Sequence, residues 1–211
     1  DMDSYLKHYI NGKWVDSIGG KRHEVISPST EEPCTEITLG TQADVDAAVA
    51  AAREAFKTFS QTSREERIAL MNRIIEEYKK RIPDFAKSMA AEMGAPVSFA
   101  TMAQAPAGLG GFLGTLPALE QFSFKEQHGA NTVVYEPIGV VGLITPWNWP
   151  LNQIALKVAP CIAAGNTMVL KPSEECPGNA AIFAEVMDAA GVPPGVFNLV
   201  QGDGPTVGAA I

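Results

Sequence analysis

The chain has 211 residues, 46% hydrophobic and 19% charged, an ordinary globular composition long enough to bury a substantial core in one or two domains. A net charge of −8 argues against a nucleic-acid partner, and no run approaches the roughly 18 uninterrupted apolar residues of a membrane span. Cys34, Cys161 and Cys176 have no CxxC spacing, so neither a disulfide framework nor a metal site is expected; free thiols and the lack of a visible secretory signal suit a soluble protein of the reducing cytoplasm.

Residues 4–40 read as short strands and turns, a small β-ribbon packed on a larger body. Asn11-Gly12, between Tyr9-Ile10 and Trp14-Val15, is a two-residue hairpin signal because both residue types accept positive φ at little cost. Thr41 with Asp44 and Ser63 with Glu66 have the spacing of capping boxes and open two helices. The apolar faces are Val45, Ala48, Val49, Ala52, Phe56 and Phe59 on the first, and Met71, Ile74, Ile75, Tyr78 and Ile82 on the second. A third helix runs from Asp84 to Met93 and stops at Gly94 and Pro96. Residues 98–120 carry Pro106, Gly108, Gly110, Gly111, Gly114 and Pro117, which predicts a helix that is kinked or packed unusually closely. Asn131 to Tyr135 alternates as a strand.

The centre of the chain is the stretch 138–174. Ile138 to Ile144 is nearly continuous apolar sequence and reads as a strand buried on both faces of a parallel sheet. Leu151, Ile154, Ala155 and Val158 follow at helical spacing, Gly165 ends that helix, and Thr167 to Leu170 is a second buried strand delivering Lys171 and Glu174 to the loop beyond. Ligands of such β-α-β units sit past the carboxyl ends of the strands, where Asn148, Lys171 and Glu174 lie. A further helix starts at Pro177 and a strand spans Val196–Val200, before Gly202-x-Gly204-x-x-x-Gly208 opens another helix. Backbone N–H groups in that setting attract phosphate, although a plain strand-to-helix turn fits the glycines as well.

PWNWP at 146–150 with KPSE at 171–174 resembles the aldehyde dehydrogenase superfamily, NAD(P)-dependent oxidisers of aldehydes through a cysteine thioester. The likeness extends from INGKWV at 10–15 to GDGPTVGAAI at 202–211. It implies a three-layer α/β fold, a Rossmann-like parallel sheet flanked by helices with a β-ribbon extension. Residues 1–120 and 142–211 would form the first half of the cofactor domain, with 121–141 as oligomerisation strands that pair with a neighbouring subunit in a homodimer or homotetramer. From the residues alone, an intrachain hairpin fits those strands equally well.

The chemistry follows the same positions. Glu174 can accept both ribose hydroxyls of an adenosine while Lys171 donates to the same sugar, and a carboxylate there repels a 2′-phosphate, favouring NAD over NADP. The plain alternative is a surface ion pair of little worth. The resemblance adds Ser173 and the main chain at Ile144, Thr145 and Pro146 as cofactor contacts, Trp147 as the supporting wall, and Gly204, Pro205 and Gly208 on the adenine side. By residue type alone Asn148 is a helix cap; the resemblance instead makes it a cofactor contact and the amide that stabilises the oxyanion formed when a thiolate attacks an aldehyde. Met102, Trp149, Gln153 and Leu156 would border the aldehyde pocket, and Lys157 matches a position near that asparagine. None of the three cysteines aligns with the nucleophile, and no ELGGK-like motif supplying the base is present. The expected assignment is thus the cofactor portion of a longer NAD-dependent enzyme, inactive by itself. The alternative is a non-catalytic nucleotide-binding or structural subunit of the same fold.

Overall fold

The computed structural model describes residues 2–211. Five short strands come first: β1 (Asp3–Tyr5), β2 (Lys7–Ile10), β3 (Lys13–Asp16), β4 (Lys21–Ile26) and β5 (Pro33–Leu39). Asn11 and Gly12 join β2 to β3 with φ of 54° and 73°, the paired positive values that let a two-residue turn follow the twist of its strands. The single ribbon expected here is divided between two sheets. β1, β4 and β5 form a sheet of their own, whereas the β2–β3 hairpin extends the main sheet through antiparallel pairing of Tyr9 with Leu199. Alternation along a strand sets which face is buried but carries no information about the partner strand.

Three helices follow, α1 (Gln42–Phe59), α2 (Arg64–Lys80) and α3 (Ile82–Met93). Both capping boxes form, with the Thr41 and Ser63 hydroxyls accepting from the N–H of Asp44 and Glu66 while each carboxylate returns to its cap residue's N–H. α3 starts two residues before Asp84, with Pro83 in its first turn, where a missing N–H costs nothing.

The proline- and glycine-rich stretch is a broken helix. A single turn, α4 (Val97–Phe99), runs into a π-helical segment, Ala100–Gln104, and then into α5 (Ala105–Gln121), which accommodates Pro117 internally. Its glycines permit close packing as expected. A Cβ on Gly111 would lie 2.9 Å from the Ala155 backbone, and one on Gly108 would overlap the Tyr78 hydroxyl. A two-stranded hairpin comes next, β6 (Lys125–His128) paired antiparallel with β7 (Asn131–Val134), and most of its residues are exposed.

The β-α-β unit is β8 (Val140–Ile144), α6 (Pro150–Ala163) and β9 (Thr167–Lys171), with Gly165 at φ 81° ending the helix. It leads to α7 (Gly178–Ala189), capped by Pro177 rather than beginning there, and to β10 (Phe197–Leu199). The main sheet has the order β3-β2-β10-β9-β8. Strands β8, β9 and β10 are parallel and the β2–β3 hairpin is antiparallel, so the sheet is mixed rather than wholly parallel. Helices α6 and α7, backed by α2, α3 and α5, cover one face; α1 and Val207 cover the other, giving three layers.

One strand departs from expectation. β9 is buried at every residue, but the run 138–144 is not buried on both faces: Ile138 is 86% exposed, Ile144 is half exposed, and β8 lies at the sheet edge. Among the described residues only β9 pairs with it. Apolar composition reports that a strand is meant to be covered, not which segment covers it.

Candidate functional site

The carboxyl ends of the three parallel strands form one edge. Ile144 and Lys171 are register partners, the Thr145 N–H donates to the Lys171 carbonyl at 3.1 Å, and the Val200 N–H donates to that of Leu170 at 3.0 Å. The ladder therefore continues past the strands and fixes the loops that leave them.

Lys171 is the last residue of β9 and is almost fully buried. Its Nζ donates to the Pro172 carbonyl (2.6 Å), the Gly202 carbonyl (2.7 Å) and Glu174 Oε2 (3.2 Å). These three contacts use all the protons of an ammonium group. The pair is thus no loose surface ion pair: Lys171 ties the loop after β9 to the loop after β10 and holds one oxygen of Glu174. The Glu174 side chain keeps 30% of its surface exposed, and its Oε1 has no partner among the described residues. Ser173 lies alongside, its hydroxyl accepting from the Glu175 N–H at 3.2 Å.

Residues 204–208 form one π-helical turn rather than a regular helix opening. Asp203 caps it, accepting the Thr206 N–H at 2.8 Å. Such a short turn gives little helix dipole, so any phosphate attraction rests on backbone N–H groups and open space. Gly204 and Pro205 are exposed, and a Cβ on Gly204 would meet nothing within 4 Å. Gly208 lies over the Lys171 stem, where a Cβ would come to 3.7 Å from Cδ.

On the β8 side, Thr145 is buried and its Oγ1 has no partner among the described residues. Ile144 and Trp147 expose about half of their surfaces, and Pro146 is exposed between them. Asn148 does not cap α6. The cap position is Trp149, without a side-chain cap hydrogen bond, and the exposed Asn148 amide makes no hydrogen bond among the described residues.

The Asn148 backbone is held by a residue the sequence did not single out. Gln104, the buried end of the π-helical segment, donates Nε2 to the Asn148 carbonyl at 3.3 Å, and Phe99 meets the Trp149 ring edge-on at 5.7 Å between centroids. Met102, on the same segment, is 81% exposed, and Leu156 is also exposed. Gln153 pairs within α6 to Lys157, whose Nζ lies 3.4 Å from Gln153 Oε1. Lys171, Glu174, Gly202 and Gly208 thus form one contiguous group, and Asn148, Trp149, Gln104 and Phe99 a second.

None of the thiols is poised as a nucleophile. Burial pushes Cys161 up to about 12, raises Cys176 well above its ordinary value, and also raises Cys34.

The sequence model described as the Aldehyde dehydrogenase family matches residues 14–211. The chain belongs to the aldehyde dehydrogenase family. It is 52% identical over 211 residues to a 3-succinoylsemialdehyde-pyridine dehydrogenase of Pseudomonas, covering 100% of this chain and 44% of that protein. An aldehyde dehydrogenase crystal structure from Bartonella henselae superposes with a TM-score of 0.96 at 48% identity, over 99% of this chain and 44% of that one. A cysteine-to-alanine variant of aldehyde dehydrogenase C from Pseudomonas syringae, solved with NAD+ and octanal, gives 0.95 at 46% identity, over 97% of this chain and 42% of that one. The chain therefore spans less than half the length of these aldehyde dehydrogenases. The likeness shows the α/β fold and the family.

Proposed function

We propose that this chain is the cofactor-binding portion of a longer NAD-dependent aldehyde dehydrogenase, whose thiol nucleophile and general base lie outside it. The observation that carries this is the Lys171–Glu174 arrangement: a carboxylate with one oxygen anchored and the other open, at the carboxyl ends of the sheet's three parallel strands. A nicotinamide dinucleotide fits this edge on three counts. Thr145 Oγ1 is a buried polar atom without a partner, Gly204 leaves open space where a side chain would stand, and Glu174 Oε1 is free to accept.

Glu174 would accept the ribose hydroxyls, with Ser173, the main chain at Ile144–Pro146, Trp147, Gly204, Pro205 and Gly208 around the rest. Lys171 orients Glu174 and holds Gly202; donating to the sugar itself would require it to release Glu174. When bound, NAD supplies the hydride acceptor. A 2′-phosphate would meet the Glu174 carboxylate, which favours NAD over NADP. The Asn148 amide, unengaged within the chain, is the donor for the oxyanion of the attacked aldehyde, and Gln104 holds its backbone. Trp149, Gln153, Leu156 and Met102 would border the aldehyde's approach. The exposed β6–β7 hairpin offers unpaired edges to a neighbouring subunit, in a homodimer or homotetramer. Three free thiols suit a reducing cytoplasm.

Two variants of the full-length enzyme test this. Asn148→Ala should lower kcat by roughly 10²–10³ with little change in NAD affinity, the scale of one oxyanion donor. Glu174→Ala should raise the KM for NAD more than that for NADP. A wild-type rate in the first removes Asn148 from the chemistry, and equal KM effects in the second remove the ribose role of Glu174.

A further inference from the structure

Behind the cofactor-facing edge, beneath Gly202, lies a closed polar cluster that the chemistry above does not use. His8 comes from β2 and Asp44 from the first turn of α1; both are buried, to 0% and 1% exposure. His8 Nδ1 accepts the Gln201 backbone N–H at 3.1 Å. Only a ring nitrogen with its lone pair free can do so, which puts the single proton on Nε2, facing Asp44 Oδ2 at 3.3 Å. That contact is close but poorly aligned for a hydrogen bond. Asp44 is itself immobilised by the Ser17 hydroxyl, the Ile18 N–H (2.8 Å) and the Thr41 N–H (3.0 Å).

Gln201 is gripped from its other side as well, since its carbonyl accepts the Gly40 N–H at 2.8 Å. There is no slack: a Cβ on Gly40 would come to 2.8 Å from the Gln201 oxygen and 3.1 Å from His8 Nε2. The next residue, Gly202, presents the carbonyl that binds Lys171 Nζ at 2.7 Å, and Lys171 in turn holds Glu174. His8 is therefore linked to the carboxylate through its hydrogen bond to Gln201, the Gln201–Gly202 peptide bond, and the hydrogen bonds from Gly202 to Lys171 and from Lys171 to Glu174.

We propose that His8 is a positioning residue for the cofactor: its neutral imidazole, buried against Asp44, holds the Gln201–Gly202 turn in the place where Gly202 anchors Lys171 and sets Glu174. This rests on the assignment of Glu174 to the cofactor. A protonated Nδ1 would turn an N–H against the Gln201 N–H and displace the turn. The groups packed against the ring are Asp44 from α1, the Gln201 backbone and Gly40; among the described residues Asp44 is the one charged group facing it. Burial lowers the His8 value below 6.5 and outweighs the opposing pull of Asp44. The clamp is thus still intact at pH 6.5 and loosens only as pH falls through the lowered value of the buried ring.

The test compares His8→Leu, which removes the acceptor, with His8→Asn, whose Oδ1 replaces Nδ1 and takes no proton, in the full-length enzyme. NAD dissociation constants are measured by calorimetry from pH 8 to pH 5.5, with hydrogen exchange of the 199–204 amides in the NAD-free protein. At pH 8, His8→Leu should bind NAD roughly tenfold more weakly, the scale of one buried hydrogen bond, and exchange faster at 199–204, while kcat at saturating NAD changes less than twofold. His8→Asn should retain wild-type affinity at pH 8 and, unlike the wild type, keep it as pH is lowered. Wild-type NAD affinity in His8→Leu overturns the proposal, as does equal loss in both variants with exchange raised throughout the protein, which marks a purely structural role. Glu174→Ala separates the two levels. Unchanged NAD affinity in that variant overturns the cofactor assignment and this proposal with it, whereas a Glu174 effect without a His8→Leu effect overturns this proposal alone.

Discussion

Lys171→Met puts a number on the junction between the loops after β9 and β10. Methionine approximates the lysine stem in volume, so no large cavity opens, and the change isolates the three hydrogen bonds of Nζ. Pro172 and Gly202 are buried, and each of their carbonyls loses a charged donor. An unsatisfied buried acceptor costs about 1–3 kcal/mol. Glu174 is 30% exposed and can turn to water, so its share is small. The expected loss of unfolding free energy is about 2–6 kcal/mol, read from urea unfolding of the full-length protein by tryptophan fluorescence. NAD binding should weaken by roughly 10–100-fold, because Gly202 and Glu174 are released together. Stability within about 0.5 kcal/mol of wild type would refute the anchoring role, since that is the range of substitutions at inconsequential surface sites. A large affinity loss without a stability loss would point to Lys171 as a direct sugar donor.

Two further expectations concern packing and pH. Gly111→Ala and Gly114→Ala make the same change on α5 with opposite environments. The first drives a Cβ to 2.9 Å from the Ala155 backbone and should destabilise by about 0–2 kcal/mol, overpacking offset in part by helix propensity; the second enters open space and should stabilise by about 0.5–1 kcal/mol. Thermal unfolding of both settles it, and shifts of the same sign and size would sink the close-packing account of α5 against α6. Glu92 of α3 is buried and accepts the Gly178 N–H at 3.1 Å, standing in for the side-chain cap that α7 lacks. Burial pushes its carboxyl up to about 7, above the 4.5 of an exposed glutamate. Its contribution to stability is therefore complete below about pH 4.5 and is lost as pH rises through about 7. Glu92→Gln, neutral throughout, should gain on the wild type between pH 5 and pH 8 by at most about 3 kcal/mol, and parallel stability–pH curves for the two proteins would contradict this.

Local signals decided much of this chain before any tertiary contact was considered. The capping boxes at Thr41–Asp44 and Ser63–Glu66, the Asn11-Gly12 hairpin and the 138–171 crossover follow from residue types within a few positions of one another, because caps, turns and periodicity are short-range physics. The motifs at 146–150 and 171–174 marked the residues that stand at the sheet edge. Tertiary structure alone decided which strands are neighbours: it set the β2–β3 hairpin against β10 and left β8 at the edge, where alternation and apolar composition are silent about partners. It also turned an Asn148 that composition favours as a cap into an unengaged amide, and a lysine–glutamate pair three residues apart into a buried three-way anchor. Gln104 and His8 were illegible for one reason. Gln104 meets a carbonyl 44 residues away and His8 an N–H 193 residues away, and a hydrogen bond across such a separation leaves no periodicity or spacing to read.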